Sequence, residues 1–210
     1  MSISLLFILI IALMAAGAPY FIRSITWNRF NKQIKNEQYE QALQTLRSRV
    51  YRTMFGTFDS DWNQLKLYLQ TNDAIHIEQK TNELLANKLT KDQRHQVANS
   101  VYFYFLDKEN KDMARKLLDQ LSLCTEADEY RYDQIMYRVL IEKKSEDIEK
   151  VEALIKENTN VKEKGLLQYL LGLQYMYRND TKQAQMYFNR AKSNLKGTPY
   201  HKKIKKLMEA

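Results

Sequence analysis

Apolar and polar positions along most of this chain recur with helical periodicity rather than strand alternation. The N-terminal stretch is different. Residues 3–22 carry no charged side chain, and residues 5–18 are Leu, Ile, Phe, Met, Ala and one Gly. About twenty apolar residues in a helix extend roughly 30 Å, the thickness of a bilayer core, so the pattern predicts an N-terminal transmembrane helix. Pro19 and Tyr20 suit its far end. A cleaved signal peptide would want a basic leader, which Met1-Ser2-Ile3-Ser4 does not supply, and Pro19 directly after Ala16-Gly17-Ala18 disfavours cleavage. Lys and Arg are absent before the stretch and frequent after it. The expectation is therefore a single-pass protein of the cell membrane, with its N-terminus outside and its helical domain in the cytoplasm.

Beyond residue 22 the pattern breaks into pairs of helices joined by short polar turns. The clearest pair is 164–196. A first helix over 165–177 is apolar on nearly every face, Arg178-Asn179-Asp180 forms a turn, and a second helix over 181–195 aligns Ala184, Phe188, Ala191 and Leu195 on one stripe. Gly172 and Ala184 would let the two backbones approach closely. A second pair lies at 93–123, with Ala98, Val101, Tyr102 and Phe105 before a turn at 107–110, then Ala114, Leu117, Leu118 and Leu121. A weaker pair at 128–158 uses Ile135, Val139, Val151 and Ile155, with Ser145 as the expected N-cap of its second helix. Trp27, Phe30 and Ile34, then a turn and second-helix start over 36–42 with Ala42 and Leu46 as its stripe, mark another. Residues 60–88 are helical in pattern, through Trp62, Leu65, Leu69, Ile77, Leu84 and Leu85. Tyr200, Ile204, Leu207 and Met208 predict a short terminal helix whose apolar side caps the last pair.

The 164–196 pair resembles the tetratricopeptide repeat. Leu171-Gly172, Tyr175, Ala184 and Phe188 stand at that family's spacing, although Gln168 replaces its first-helix Trp and Pro199 comes late for its closing Pro. The segment 60–88 matches the family poorly. Corresponding positions lie thirty-seven residues apart from Ala114 to Val151 and thirty-three from Val151 to Ala184, around a family period of about 34. The expected fold is thus all-α: a transmembrane helix followed by a degenerate tetratricopeptide-like solenoid of helical hairpins. Its divisions would be an anchor at 1–22, repeats at 23–198 and a basic capping helix or tail at 199–210.

Composition supports this reading. Five Gly and two Pro in 210 residues are too few for the tight turns of a sandwich or barrel. A single cysteine, Cys124, excludes an internal disulfide. The net charge of +8 is concentrated at the ends. Arg23, Arg29, Lys32 and Lys35 begin one basic surface, which suits anionic lipid, and Lys202, Lys203, Lys205 and Lys206 form the other. Nucleic acid is the disfavoured partner of such patches.

No chemical motif stands out. His76, His95 and His201 lack metal-ligand spacing, and no phosphate loop or nucleophile elbow occurs. The acidic group Glu126, Asp128, Glu129 and Asp133 lacks the pattern of a calcium loop and reads as an acid-rich helix start. The sequence therefore predicts a non-enzyme with no catalytic residue, metal or cofactor. The family resemblance implies a groove lined by first-helix residues. These are Asn99, Phe103 and Leu106, then Met136, Leu140 and Lys143, then Tyr169, Leu173 and Met176. That mixture suits an apolar or amphipathic segment of a partner protein. The expected function is that of a membrane-anchored scaffold or adaptor. The alternative is an anionic-lipid or nucleic-acid binder acting through its basic ends.

Overall fold

The computed structural model describes the backbone of residues 3–209 and the side chains of residues 16–209. Among the described residues there are twelve α-helices and no strand. The chain divides into two compact units between Thr90 and Lys91. The first holds α1 (Ile3–Lys35), α2 (Tyr39–Arg47), α3 (Arg49–Phe55), α4 (Thr57–Thr71) and α5 (Ala74–Ala86). The second holds α6 (Lys91–Asp107), α7 (Lys111–Leu121), α8 (Ala127–Leu140), α9 (Ile148–Glu157), α10 (Val161–Tyr177), α11 (Thr181–Asn194) and α12 (Pro199–Glu209).

The expected membrane anchor is corrected here. No helix of the described residues is long and apolar enough to cross a membrane. The single-pass location, with its inside and outside, falls with it. Of the stretch that suggested the anchor, the side chains of residues up to 15 lie outside the described residues. The rest belongs to a helix that does not stop where its apolar run stops. α1 continues through Arg23, Arg29, Lys32 and Lys35 and buries Phe30 and Gln33 in the first unit. Gln33 Oε1 accepts the Thr45 hydroxyl of α2 at 2.8 Å. Its C-terminal half is thus a structural helix of this unit.

Four hairpins close by the same device. The helices α1, α4, α6 and α10 each end on a residue in the left-handed region, Glu37, Asn72, Glu109 and Asn179, with φ between 52° and 59°. The following N–H then reaches back five residues, Gln38 to Gln33, Asp73 to Tyr68, Asn110 to Phe105 and Asp180 to Tyr175, at 2.9–3.0 Å. This is the Schellman arrangement, which satisfies carbonyls left over at the helix end. In three cases the same residue caps the next helix: Asp73, Asn110 and Asp180 accept the N–H of His76, Met113 and Gln183. A fifth left-handed residue, Lys143, lies in the α8–α9 loop, so that such residues recur every thirty-four to thirty-seven positions.

In the second unit α6 packs on α7, α10 on α11, and α9 on α10, while α8 touches both α6 and α10. The closest approach is between α10 and α11. A Cβ on Gly172 would run into the Phe188 ring, and one on Gly165 would meet Leu195 at 2.9 Å. The two glycines are therefore required by backbone approach. The α8–α9 connection is held by charge. Arg138 donates to Asp147 from Nε at 2.6 Å and from Nη2 at 2.8 Å, Lys150 adds a contact at 3.0 Å, and the Asp147 N–H donates to buried Gln174 of α10. Asp147, not the expected Ser145, stands at the start of α9, and its carboxylate pairs with Arg138 instead of capping the helix.

Two outcomes follow from this packing. Gly172→Ala should cost roughly 1–3 kcal/mol through overpacking against Phe188, seen as a lower midpoint in denaturant, whereas Gly17→Ala, with open space around it, should not destabilise. Arg138→Ala should cost about 3–5 kcal/mol because it leaves the Asp147 carboxylate buried without its main partner, a loss measurable by the same titration.

Candidate functional site

The helices α6, α8 and α10 line two clefts in the second unit. One, about 240 Å³, lies toward their C-terminal ends and is lined by Leu106, Leu140, Lys143, Tyr169, Leu173 and Met176, with Tyr200, Lys203 and Leu207 of α12 closing one side. The other, about 390 Å³, lies toward the N-terminal ends of α8 and α10 and includes Asn99 and Phe103. Eight of the nine groove residues expected from sequence therefore line one cleft or the other. Met136 does not. It is fully buried, so it supports the wall instead of facing a ligand, and its place in the expected groove is corrected.

α12 does more than cap the last hairpin. It packs on α11, Tyr200 sits 5.4 Å from the Tyr169 ring of α10, and Lys203 pairs with Asp107 of α6. The helix thereby reaches across the α6–α8–α10 face and narrows the first cleft. Lys143 is drawn to Glu109 at 2.9 Å, so it forms a paired rim.

The second cleft has a different chemistry. Phe103, Leu154, Leu166 and Leu167 give it apolar walls, and Glu129, Asp133 and Glu163 give it three carboxylates with no lysine or arginine among its lining residues. Asp133 is only 3 % exposed. Its backbone carbonyl accepts the Tyr102 hydroxyl of α6 at 2.8 Å, which fixes the residue in place but leaves its carboxylate without a hydrogen bond or ion pair among the described residues. Glu129 lies 3.4 Å from His95 Nε2. Glu163 accepts from the side-chain amides of Asn158 and Asn160 at 2.9 and 3.2 Å, which orient its carboxylate without neutralising it. Burial, and then the neighbouring Glu129 charge, push the Asp133 carboxyl up to about 7. The sequence signal for this site was present in the acidic group at the start of α8. Helix-dipole logic explains Asp128 and Glu129, but Asp133 lies past the first turn and on the inward face.

In the first unit a hollow of about 650 Å³ is open and lined by residues several of which already have local roles. Asp73 caps α5 and pairs with His76 at 2.7 Å, His76 stacks on Tyr68, and Arg47 donates to the Tyr68 hydroxyl at 2.6 Å. Of the basic residues, Arg23, Arg29, Lys32 and Lys35 are exposed on α1, the Arg23 guanidinium lying over Phe55, and Lys202, Lys205 and Lys206 are exposed on α12. Lys203 is committed to Asp107. Among the described residues no three His, Cys, Asp or Glu side chains are grouped to hold a metal. Burial pushes the Cys124 thiol up, away from nucleophilic reactivity.

No family model matches this chain, and neither a curated protein nor a solved structure matches it. The site is therefore read from its geometry alone.

The state of Asp133 has a consequence for stability. An unfolded aspartic acid titrates near 4. Between about 4 and 7 the folded chain keeps a proton that the unfolded chain releases, so stability falls as pH rises through that window and levels off above it. Asp133→Asn should accordingly be more stable than wild type at pH 8, by roughly 1–3 kcal/mol, and close to it at pH 4. Urea titrations at the two pH values check this, and equal destabilisation at both would contradict it.

Proposed function

We propose that this protein is a non-catalytic interaction module that binds an extended or helical segment of a partner protein along the α6–α8–α10 face. The supporting observation is the pair of clefts, with largely apolar walls, set along the same three helices. A face of that kind offers side-chain pockets in series, which suits a peptide better than a small substrate. The hairpin architecture and the recurrence of left-handed turn residues every thirty-four to thirty-seven positions agree with a tetratricopeptide-like design, in which first helices carry the binding surface.

The other reading is polyanion binding, by nucleic acid or anionic lipid headgroups, through the exposed bases of α1 and α12. Salt separates the two. Peptides selected on the immobilised full chain should retain binding at 0.5 M NaCl and lose roughly tenfold or more in affinity on Phe103→Ala or Leu140→Ala, as removal of a pocket-lining anchor does. Binding that collapses with salt, and that is abolished by changing Lys202, Lys205 and Lys206 to Glu, would favour the polyanion.

A further inference from the structure

We infer that the cleft around Asp133 is a specificity pocket for an arginine side chain carried by an apolar stretch of the partner segment. This rests on the partner-segment reading and assigns the chemistry of one position within it. Three observations combine. The floor holds a carboxylate that is almost wholly buried and that no cation or donor among the described residues meets. The rim adds Glu129 and Glu163, and no lysine or arginine lines the space. The walls are Phe103, Tyr132, Leu154, Leu166 and Leu167.

Each observation selects part of the ligand. A buried carboxylate left unpaired is costly, and a counter-charge arriving from outside would offset that cost. The carboxylates exclude an acidic ligand. The apolar walls disfavour a hydrated metal ion and suit a side chain with an aliphatic stem. Arginine fits better than lysine. Its planar guanidinium is more weakly hydrated, can meet a carboxylate through two parallel N–H groups, and stacks on aromatic rings such as Phe103 and Tyr132. Neighbouring apolar residues of the segment would lie against Leu154 and Leu166.

The arrangement also explains why Asp133 is tolerated at a cost to the free protein. Its proton is held toward neutral pH in the unbound state by burial and Glu129. An arriving guanidinium favours the ionised form. Binding should therefore strengthen as pH rises from 6 to 8. The other titratable groups facing Asp133 are Tyr102 of α6, Glu129 and Tyr132 of α8, and Glu163 of α10.

The experiment uses the full chain and two matched sets of acetylated nonapeptides. Their outer positions are drawn from Leu, Phe, Met and Ala. One set has a central arginine, and the other has central citrulline, which keeps the shape and removes the charge. Fluorescence anisotropy should show the arginine peptides binding at least about tenfold tighter, the loss expected when a buried charge is left unpaired. Asp133→Asn should reduce that preference to about twofold or less while unfolding later than wild type at pH 8, so lost discrimination cannot be put down to misfolding. Equal binding of the two sets, or a preference that survives Asp133→Asn, overturns the arginine pocket. If such binding still falls on Leu140→Ala, the partner-segment reading stands without it. Failure of both sets to bind counts against both. Self-association abolished by Asp133→Asn in sedimentation would overturn the inference in favour of a second copy as the occupant.

Discussion

The second unit depends on how its chain turns back. Each tight hairpin holds one residue, Glu109 or Asn179, in the left-handed region, and a single N–H reaching back five residues closes the helix. That turn fixes the pairing of first and second helix. It thereby places α6, α8 and α10 as the helices that form the common face, with α7, α9 and α11 behind or beside them. Gly172 and Gly165 then set how closely α10 can lie on α11. The clefts are what remains between first helices once the second helices have taken up their apolar stripes.

Charge inside this unit is used in two ways. Asp147 is buried with Arg138, Lys150 and Gln174 around it. Burial works to raise its carboxyl, but the bonds from Arg138 and Lys150 outweigh that and hold it below the usual range. It is a satisfied group that ties the α8–α9 loop to α10. Asp133 is buried nearly as well, at 3 % against 2 % exposure, yet no cation among the described residues meets it. Two aspartates of similar burial and opposite satisfaction are hard to explain by folding alone. The first is structural, and the second is the residue on which the proposed arginine pocket rests.

Much of the hairpin architecture could be read from the sequence, because amphipathic spacing and turn composition carry it. The 164–196 pair matches α10 and α11 at its turn to the residue. Residues 60–88 were read only as helical; the hairpin of α4 and α5 within them turns at Asn72-Asp73, which repeats the Asn179-Asp180 turn outside the family pattern. Ser145 was a reasonable cap by residue type, but α9 begins after Asp147, whose carboxylate is taken up by Arg138, a contact that residue type alone does not reveal. The apolar run near the N-terminus misled for a related reason. Local hydropathy does not show that the helix continues into a packed, charged half where Phe30 and Gln33 are buried. At the site, the residues expected from register include Phe103 and Leu140, which line clefts, and Met136, which is buried, since a helix covered on several sides has no single face that periodicity can identify. Asp133 escaped because a pattern of acids at a helix start looks like surface.

The most direct measurement is site-specific photocrosslinking in the source cells. A benzoylphenylalanine is placed at Phe103, in the cleft, and in a separate chain at Gln185, exposed on α11. Binding of a partner segment along the α6–α8–α10 face requires a discrete crosslinked species from position 103 that is absent from position 185 and that weakens with Leu140→Ala. Identical labelling from the two positions, or none from position 103 in a folded chain, would contradict the account.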